Sequence, residues 1–211
     1  MRLTIALGLM ITVLAAPAAA QAIEGCDKDQ HRIVQDALRN AKDLTVKAAA
    51  RVGDTPEYAR WFGDYSDANA ETVRATLKAV VTAIRSGGVT VECLPETRDG
   101  CSEREYAWVY PHRPFEVNIC PPFFNLPPLT ALNPGERRSD NGTREGTMVH
   151  EISHFLAVAD TWDHCYSRSE CSRMARNDPA LAIDNADSYQ YFTEDVTYYA
   201  RQPVAGKPAT D

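Results

Sequence analysis

The chain carries six cysteines, Cys26, Cys93, Cys101, Cys120, Cys165 and Cys171, and all of them follow a leader-like first segment. Arg2 precedes an apolar run from Leu3 to Leu14 and small residues ending in Ala20-Gln21-Ala22, the pattern of a secretory signal peptide cleaved after Ala22. In an oxidising compartment an even number of cysteines reads as a disulfide framework, and six of them admit fifteen pairings that sequence alone does not choose among. The expectation is a signal peptide at 1–22 and one cross-linked domain over 23–211, secreted or periplasmic. None of the cysteines has zinc-finger spacing, so any metal has to be sought among other residues.

Composition narrows the partners. A chain that is 44% apolar and 24% charged is neither disordered nor collagenous. Its 22 basic residues face 29 acidic ones, for a formal net charge of −7 that becomes one unit more negative when Arg2 leaves with the leader. Such a chain repels phosphate backbones and anionic headgroups, so polypeptides are the expected partners and nucleic acid is not. No later segment reaches the roughly 18–20 apolar residues of a membrane span, and a monomer is expected.

Apolar residues recur at three and four from Asp27 to Arg51 (Ile33, Val34, Ala37, Leu38, Ala41, Leu44, Ala48) and again from Ala68 to Arg85 (Val73, Leu77, Val80, Val81, Ile84). Both stretches read as amphipathic helices, the second stopping at Gly87-Gly88. Thr55-Pro56 with Tyr58 and Trp61-Phe62 suggests a short helical turn between them. Val89 to Cys93, Glu105 to Tyr110 and Phe115 to Cys120 are short, β-branched or aromatic and bounded by Pro, Gly and charge, which predicts a small antiparallel sheet. The proline-rich stretch 121–142 reads as loop. Helix resumes over Thr143 to Val158 and over Asp187 to Arg201. One α+β domain follows, with helices first, sheet in the middle and helices last.

The chemistry is concentrated in Gly146-Thr147-Met148-Val149-His150-Glu151-Ile152-Ser153-His154-Phe155. Positions four apart share a helix face, about 6 Å along the axis, so His150 and His154 can aim two imidazoles at one zinc ion. Glu151, one residue round, can reach a zinc-activated water, take its proton and pass it to a leaving amine, which is what hydrolysis of a peptide bond requires. Two histidines and a glutamate on a helix can also be coincidence. Against that reading, the three interrupt the apolar character of Val149, Ile152, Phe155, Leu156 and Val158 together, and burying them without a shared partner costs several kcal/mol. One catalytic zinc needs a third protein ligand, for which Asp160, Asp163, His164 and Glu170 are candidates. Asp160 occupies the last-ligand position of a metzincin-type pattern, but Ala157 stands where that pattern turns on glycine.

These residues resemble the deuterolysin and peptidyl-lysine metalloendopeptidase group, the aspzincins. That family has Gly-Thr before its H-E-x-x-H, as Gly146-Thr147 here, and a later G-T-x-D-x-x-Y-G, matched by Thr161-Trp162-Asp163-His164-Cys165-Tyr166. Asp160 and Ser167 stand where that motif has its two glycines. The resemblance implies a single zincin-like domain in which His150, His154 and Asp163 bind Zn2+, Glu151 is the general base, and Tyr166 stabilises the tetrahedral oxyanion. Asn185-Ala186-Asp187-Ser188-Tyr189-Gln190-Tyr191-Phe192 resembles the family's C-terminal N-A-D-x-x-x-Y-F. In lysine-specific members the aspartate and a glutamate three residues on form an acidic substrate pocket. Asp187 matches the first and Gln190 replaces the second, so strict lysine preference is not expected; Asp187 could equally serve as the N-cap of its helix. The resemblance also implies Cys26 bonded to Cys93 and Cys101 to Cys120, and with those Cys165 to Cys171. The function expected is a secreted zinc metalloendopeptidase. The competing readings are a zinc-stabilised exported binding or effector domain without activity, and a metal-free disulfide-held interaction domain.

Overall fold

In a computed structural model the structure describes residues 22–96, 100–131 and 142–199. The expected signal peptide lies outside the described residues except for Ala22. The elements run β1 (Ile23–Glu24), α1 (Lys28–Ala49), α2 (Pro56–Phe62), α3 (Asp67–Arg85), β2 (Thr90–Cys93), β3 (Ala107–Val109), β4 (Glu116–Ile119), α4 (Arg144–Ser153), α5 (Arg168–Asn177), α6 (Pro179–Ile183) and α7 (Ala186–Glu194). The fold is α+β, as expected.

Local chemistry sets the helix starts. Asp27 caps α1 in a full capping box, its carboxylate accepting from the Asp29 and Gln30 amides while the Gln30 side chain accepts from the Asp27 amide, so orphan donors are satisfied reciprocally. Thr55 and Ser66 cap α2 and α3. The stripes read from sequence are the buried ones: Val34, Leu38 and Ala41 of α1 and Val73, Leu77 and Val80 of α3 have almost no exposed surface. Behind them Tyr58 and Phe62 of α2 pack edge-on or tilted against Phe192, and Phe62 against Tyr189, both of α7, at centroid distances of 5.1 to 6.4 Å, the range in which aromatic pairs attract.

The sheet order is β1-β2-β4-β3, and only β3 and β4 run antiparallel. The other two pairings are parallel, Ile23 opposite Val91 and Thr90 opposite Glu116. The expectation of an antiparallel sheet is corrected on this point. Parallel neighbours need a crossover of a dozen or more residues: α1 to α3 provide it between β1 and β2, and the connection from β2 to β4 contains β3. β3 and the following β4 pair as a hairpin, which leaves β3 at the edge beside α4.

Helix α4 ends sooner than the periodicity suggests. His154 is its C-cap, and the Leu156 amide leaves the helix to bond the Pro111 carbonyl. Between Ala159 and Asn185 the polar helix α5, with only Cys171 and Ala175 buried, and the five-residue α6 were not anticipated, for charged and polar residues dominate the first and the second is too short to show a period. Within 121–142, short 3-10 turns occupy Pro121–Asn125 and Leu129–Ala131, and 132–141 lie outside the described residues. The last helix continues as a π-helical turn over Asp195–Tyr199, and the remainder of the expected span to Arg201 lies outside the described residues.

The three disulfides are Cys26–Cys93, Cys101–Cys120 and Cys165–Cys171, as the resemblance implied. Helix α4 sits in the middle of the molecule, against α1, α3, α7 and β3. Its close approach to α7 depends on Gly146, where a Cβ would fall 2.8 Å from Gln190 Cγ and closer still to Glu194 Oε1.

Candidate metal centre

The N-terminus of α4 is anchored by Thr143, whose hydroxyl accepts from the Gly146 amide at 3.0 Å and donates to Glu194 Oε1 at 2.7 Å. From that anchored start, His150 lies in the last turn of α4 and His154 at its C-cap. Their rings stand at 84° with centroids 4.8 Å apart, and the two Nε2 atoms approach to 3.1 Å. Asp163 comes from the loop after the helix, its Oδ1 3.2 Å from His150 Nε2 and 3.4 Å from His154 Nε2. These three atoms form a nearly equilateral triangle. A tetrahedral zinc with bonds of about 2.0–2.2 Å separates neighbouring ligand atoms by about 3.3–3.6 Å, so the donor set fits the ion and its spacing comes within a few tenths of an ångström of it. Among the described residues this is the one group of histidine, cysteine and carboxylate side chains placed to hold a metal.

Both imidazoles are oriented from behind. His150 Nδ1 lies 2.8 Å from Asp187 Oδ1, and His154 Nδ1 lies 2.7 Å from the carbonyl of Thr161. Those partners orient both rings so that each Nε2 faces the point shared with Asp163 Oδ1; with an ion there in place of the Nε2 protons, the ring N–H groups would donate backwards, the arrangement that raises ligand basicity and fixes ring orientation. The other candidate ligands are engaged or turned away. His164 Nε2 pairs with Asp184 at 2.8 Å, while Asp160 and Glu170 lie exposed and outside the group.

The family motif's two missing glycines explain themselves in the backbone. Asp160 and Ser167 are the two non-glycine residues with positive φ among the described residues, at 52° and 72°. The chain keeps a glycine-like course with side chains that disfavour it. Ser167, at ψ 152°, lies in a region that is nearly glycine-only and costs about 1–3 kcal/mol. Its hydroxyl caps α5 through a long bond, 3.4 Å to the Glu170 amide. Ser167→Gly is therefore expected to stabilise the protein by about 1 kcal/mol, since glycine forfeits only a few tenths at an N-cap. Tm should rise by about 2–4 °C and Ser167→Ala should lower it, measured by calorimetry; a lower Tm for the glycine variant would overturn the argument.

A cavity of about 740 Å3 opens beside the triangle, lined on one side by His150, Glu151, Asp187 and Gln190 and on the other by Glu105, Tyr106 and Tyr166. Glu151 is almost fully buried, and its Oε1 lies 4.0 Å from His150 Nε2. Burial raises its carboxyl, with the two imidazoles partly offsetting. For His150 burial acts downward, but hydrogen bonds to Asp163 and Asp187 outweigh it and hold the imidazole well above its usual range. Burial would raise Asp163, yet both imidazoles hold it far below the ordinary carboxylate range. Tyr166 is exposed at the cavity mouth, its hydroxyl on Asp163, and desolvation together with that carboxylate raises it.

Asp187 and Gln190 both face this cavity, but Asp187 is taken up by His150 and by the Tyr191 hydroxyl. The cap position before α7 belongs to Asn185. Tyr191 also lines the cavity and lies under the Arg168 guanidinium at 4.4 Å. Glu105, for which the sequence suggested no role, lines it too, and its carboxyl keeps one side open to solvent. Lost hydration on the cleft side and then Glu151 push it up to about 7. The signal available was its position at the head of the predicted strand 105–110, in step with Ala107. Thr161 acts through a backbone carbonyl, for which no side-chain pattern exists.

Residues 47–194 match the aspzincin family, described as lysine-specific metallo-endopeptidase. An extracellular protease of Aeromonas hydrophila is 30% identical over 173 residues, covering 80% of this chain and 45% of its own length. A peptidyl-Lys metalloendopeptidase of Pleurotus ostreatus is 30% identical over 175 residues, covering 81% of this chain and 94% of its own. The chain thus spans under half of the first relative and nearly all of the second. A solved zinc peptidase from Grifola frondosa has the same fold, with a TM-score of 0.67 and 25% identity over 81% of this chain and 98% of that one. With a match that takes in the anchored helix, the ligand loop and α7 together, the chain belongs to the aspzincin family of metallo-endopeptidases.

Proposed function

We propose that the protein is an exported zinc endopeptidase, with His150, His154 and Asp163 as ligands and Glu151 as general base. The observation that carries this reading is the triangle of two Nε2 atoms and Asp163 Oδ1, with edges of 3.1 to 3.4 Å, beside a buried carboxylate on an open cavity. Zinc, when bound, supplies a Lewis acid that polarises a carbonyl and brings the pKa of water towards about 7. Asp187 and the Thr161 carbonyl keep the two imidazoles in the tautomer that offers Nε2. Glu151, raised by burial and therefore a stronger base than a free carboxylate, takes the proton of the attacking water and returns it to the leaving nitrogen. Tyr166, exposed at the cavity mouth beside Asp163 and protonated at neutral pH as any tyrosine is, donates a hydrogen bond to the oxyanion. The leader at 1–22 supports export, as does the relative named an extracellular protease.

The substrate is a polypeptide without a strict requirement for lysine. A lysine pocket needs a carboxylate free to pair with an ammonium, and here Asp187 is already bonded to His150 while the neighbouring Gln190 is neutral. The test is cleavage of denatured casein with mass-spectrometric mapping of the products, before chelation, after it, and after zinc is restored. Cleavage should disappear with the metal, return with it, and fall before residues of several kinds. Cleavage indifferent to the chelator would overturn the metal reading, and products confined to lysine sites would overturn the substrate reading.

A further inference from the structure

We infer that Asn185, a residue that touches neither metal nor substrate, positions Asp163 as the third ligand by receiving the two amides that follow it, while the backbone of its neighbours Asp184 and Ala186 holds the residue before it. The inference rests on the proposed function only in taking Asp163 as a ligand. Asn185 has no exposed surface. Its Oδ1 accepts from two consecutive amides immediately beyond Asp163, His164 N at 2.8 Å and Cys165 N at 3.1 Å. Its Nδ2 faces Ser188 Oγ at 3.4 Å and Cys171 Sγ at 3.7 Å, which sets the amide with its oxygen towards the loop. On the near side of Asp163, the Trp162 amide donates to the Asp184 carbonyl at 2.8 Å and the Trp162 carbonyl accepts from Ala186 N at 3.0 Å. Trp162 and Asn185 thereby form a parallel β-bridge. Every backbone group flanking Asp163 in these contacts is received by 184–186.

Packing does not do this work. The Asp163 side chain is 32% exposed, Trp162 is 63% exposed, and the loop is bounded by the positive-φ residues Asp160 and Ser167. A loop that is open to water and unfavourable in its own backbone stays where hydrogen bonds fix it. The disulfide Cys165–Cys171 ties its far end to α5, next to Asn185. Two residues on, Asp187 sets the ring of His150. The segment from Asp184 to Asp187 thus fixes both a histidine ligand and the carboxylate ligand, and couples their spacing to the start of α7.

The test compares Asn185→Ala, Asn185→Asp and Ser188→Ala by zinc affinity, measured in competition with a chelator, and by hydrogen exchange of the His164 and Cys165 amides in the zinc-free protein. Asn185→Ala leaves both amides without an acceptor and should weaken zinc binding by about 10- to 100-fold, with faster exchange at those two amides. Asn185→Asp keeps the acceptor and should bind zinc within about threefold of the parent, as should Ser188→Ala, a span well below that loss. If Asn185→Ala does not fold, Asn185→Ser, whose hydroxyl is too short to reach both amides, carries the same comparison. The inference is overturned by parental zinc affinity in the alanine (or serine) variant, by unchanged exchange at the two amides, or by an equal loss in Asn185→Asp. None of these readings uses substrate. A parent that binds zinc and leaves casein intact would therefore sink the peptidase reading alone.

Discussion

Replacing Glu151 by glutamine is expected to slow casein cleavage by about a hundred- to ten-thousand-fold, the range for loss of a positioned general base, while zinc content stays unchanged. The side chains are nearly isosteric, and Glu151 is not part of the donor triangle formed by His150, His154 and Asp163. Its Oε1 stands 4.0 Å from His150 Nε2, too long for a bond that the amide would have to replace. The substitution also removes a buried carboxylate from a cleft that already holds Asp163 and Asp187 and is flanked by Glu105. Stability should therefore hold or rise slightly. Elemental analysis, calorimetry and a casein assay on the same preparation separate the three quantities. Parental cleavage with zinc retained would remove Glu151 from the mechanism; loss of zinc together with activity would show that it acts on the metal site instead.

The parts of this site that were legible in sequence are those carried by local spacing. His150 and His154 share a face because they are four apart on one helix, and the helix could be placed because Val149, Ile152 and Phe155 mark its buried side. Asp163 was narrowed from four candidates only by resemblance, because its position depends on a loop whose course is set by Asn185, more than twenty residues downstream. The same limit applies to Asp187. Its first-turn position in α7 was readable, but its bond to His150 requires α4 and α7 to lie side by side. Strand periods located β2, β3 and β4, but not the two-residue β1, and gave no direction for β2 against β4, since parallel pairing is decided by the connection between strands. Helix α5 escaped notice because it is held by Arg168 and a disulfide where most helices are held by an apolar stripe.

That arginine is the second place where one substitution should have a large effect. The Arg168 guanidinium is held between Glu194 and Asp195, its Nη2 on Glu194 and its Nη1 2.8 Å from Asp195 Oδ1, and it stacks on Tyr191. Glu194 is fully buried. It also accepts from Thr143 N and Oγ1, and burial, opposed first by Arg168, pushes its carboxyl up to about 7. Asp195 retains Trp61 Nε1 at 3.0 Å and Arg60 at 3.9 Å. Arg168→Met keeps most of the volume and removes the cation, so Glu194 is left as a buried carboxylate without its counter-charge. Removing one partner of a buried pair costs about 3–5 kcal/mol, which for a chain of this size lowers Tm by roughly 10 °C. The sign of the pH dependence follows from the direction of the shift. A carboxyl whose folded pKa lies above its unfolded value, here 4.5, contributes stability below the unfolded value and loses it as pH rises through the folded one. Without Arg168 the folded value rises further, so the deficit should be small from about pH 5 to about pH 7, the parent's value, and grow as pH rises above it towards about pH 9. Thermal melts of parent and variant across that range measure it, and an equal deficit at both ends would assign the loss to packing. Because Arg168 also lies over Tyr191, whose hydroxyl meets Asp187 behind His150, the variant should bind zinc less tightly at pH 8 than at pH 6 relative to the parent. The charge that ties α5 to α7 thus also supports the ligand geometry at the other end of α7.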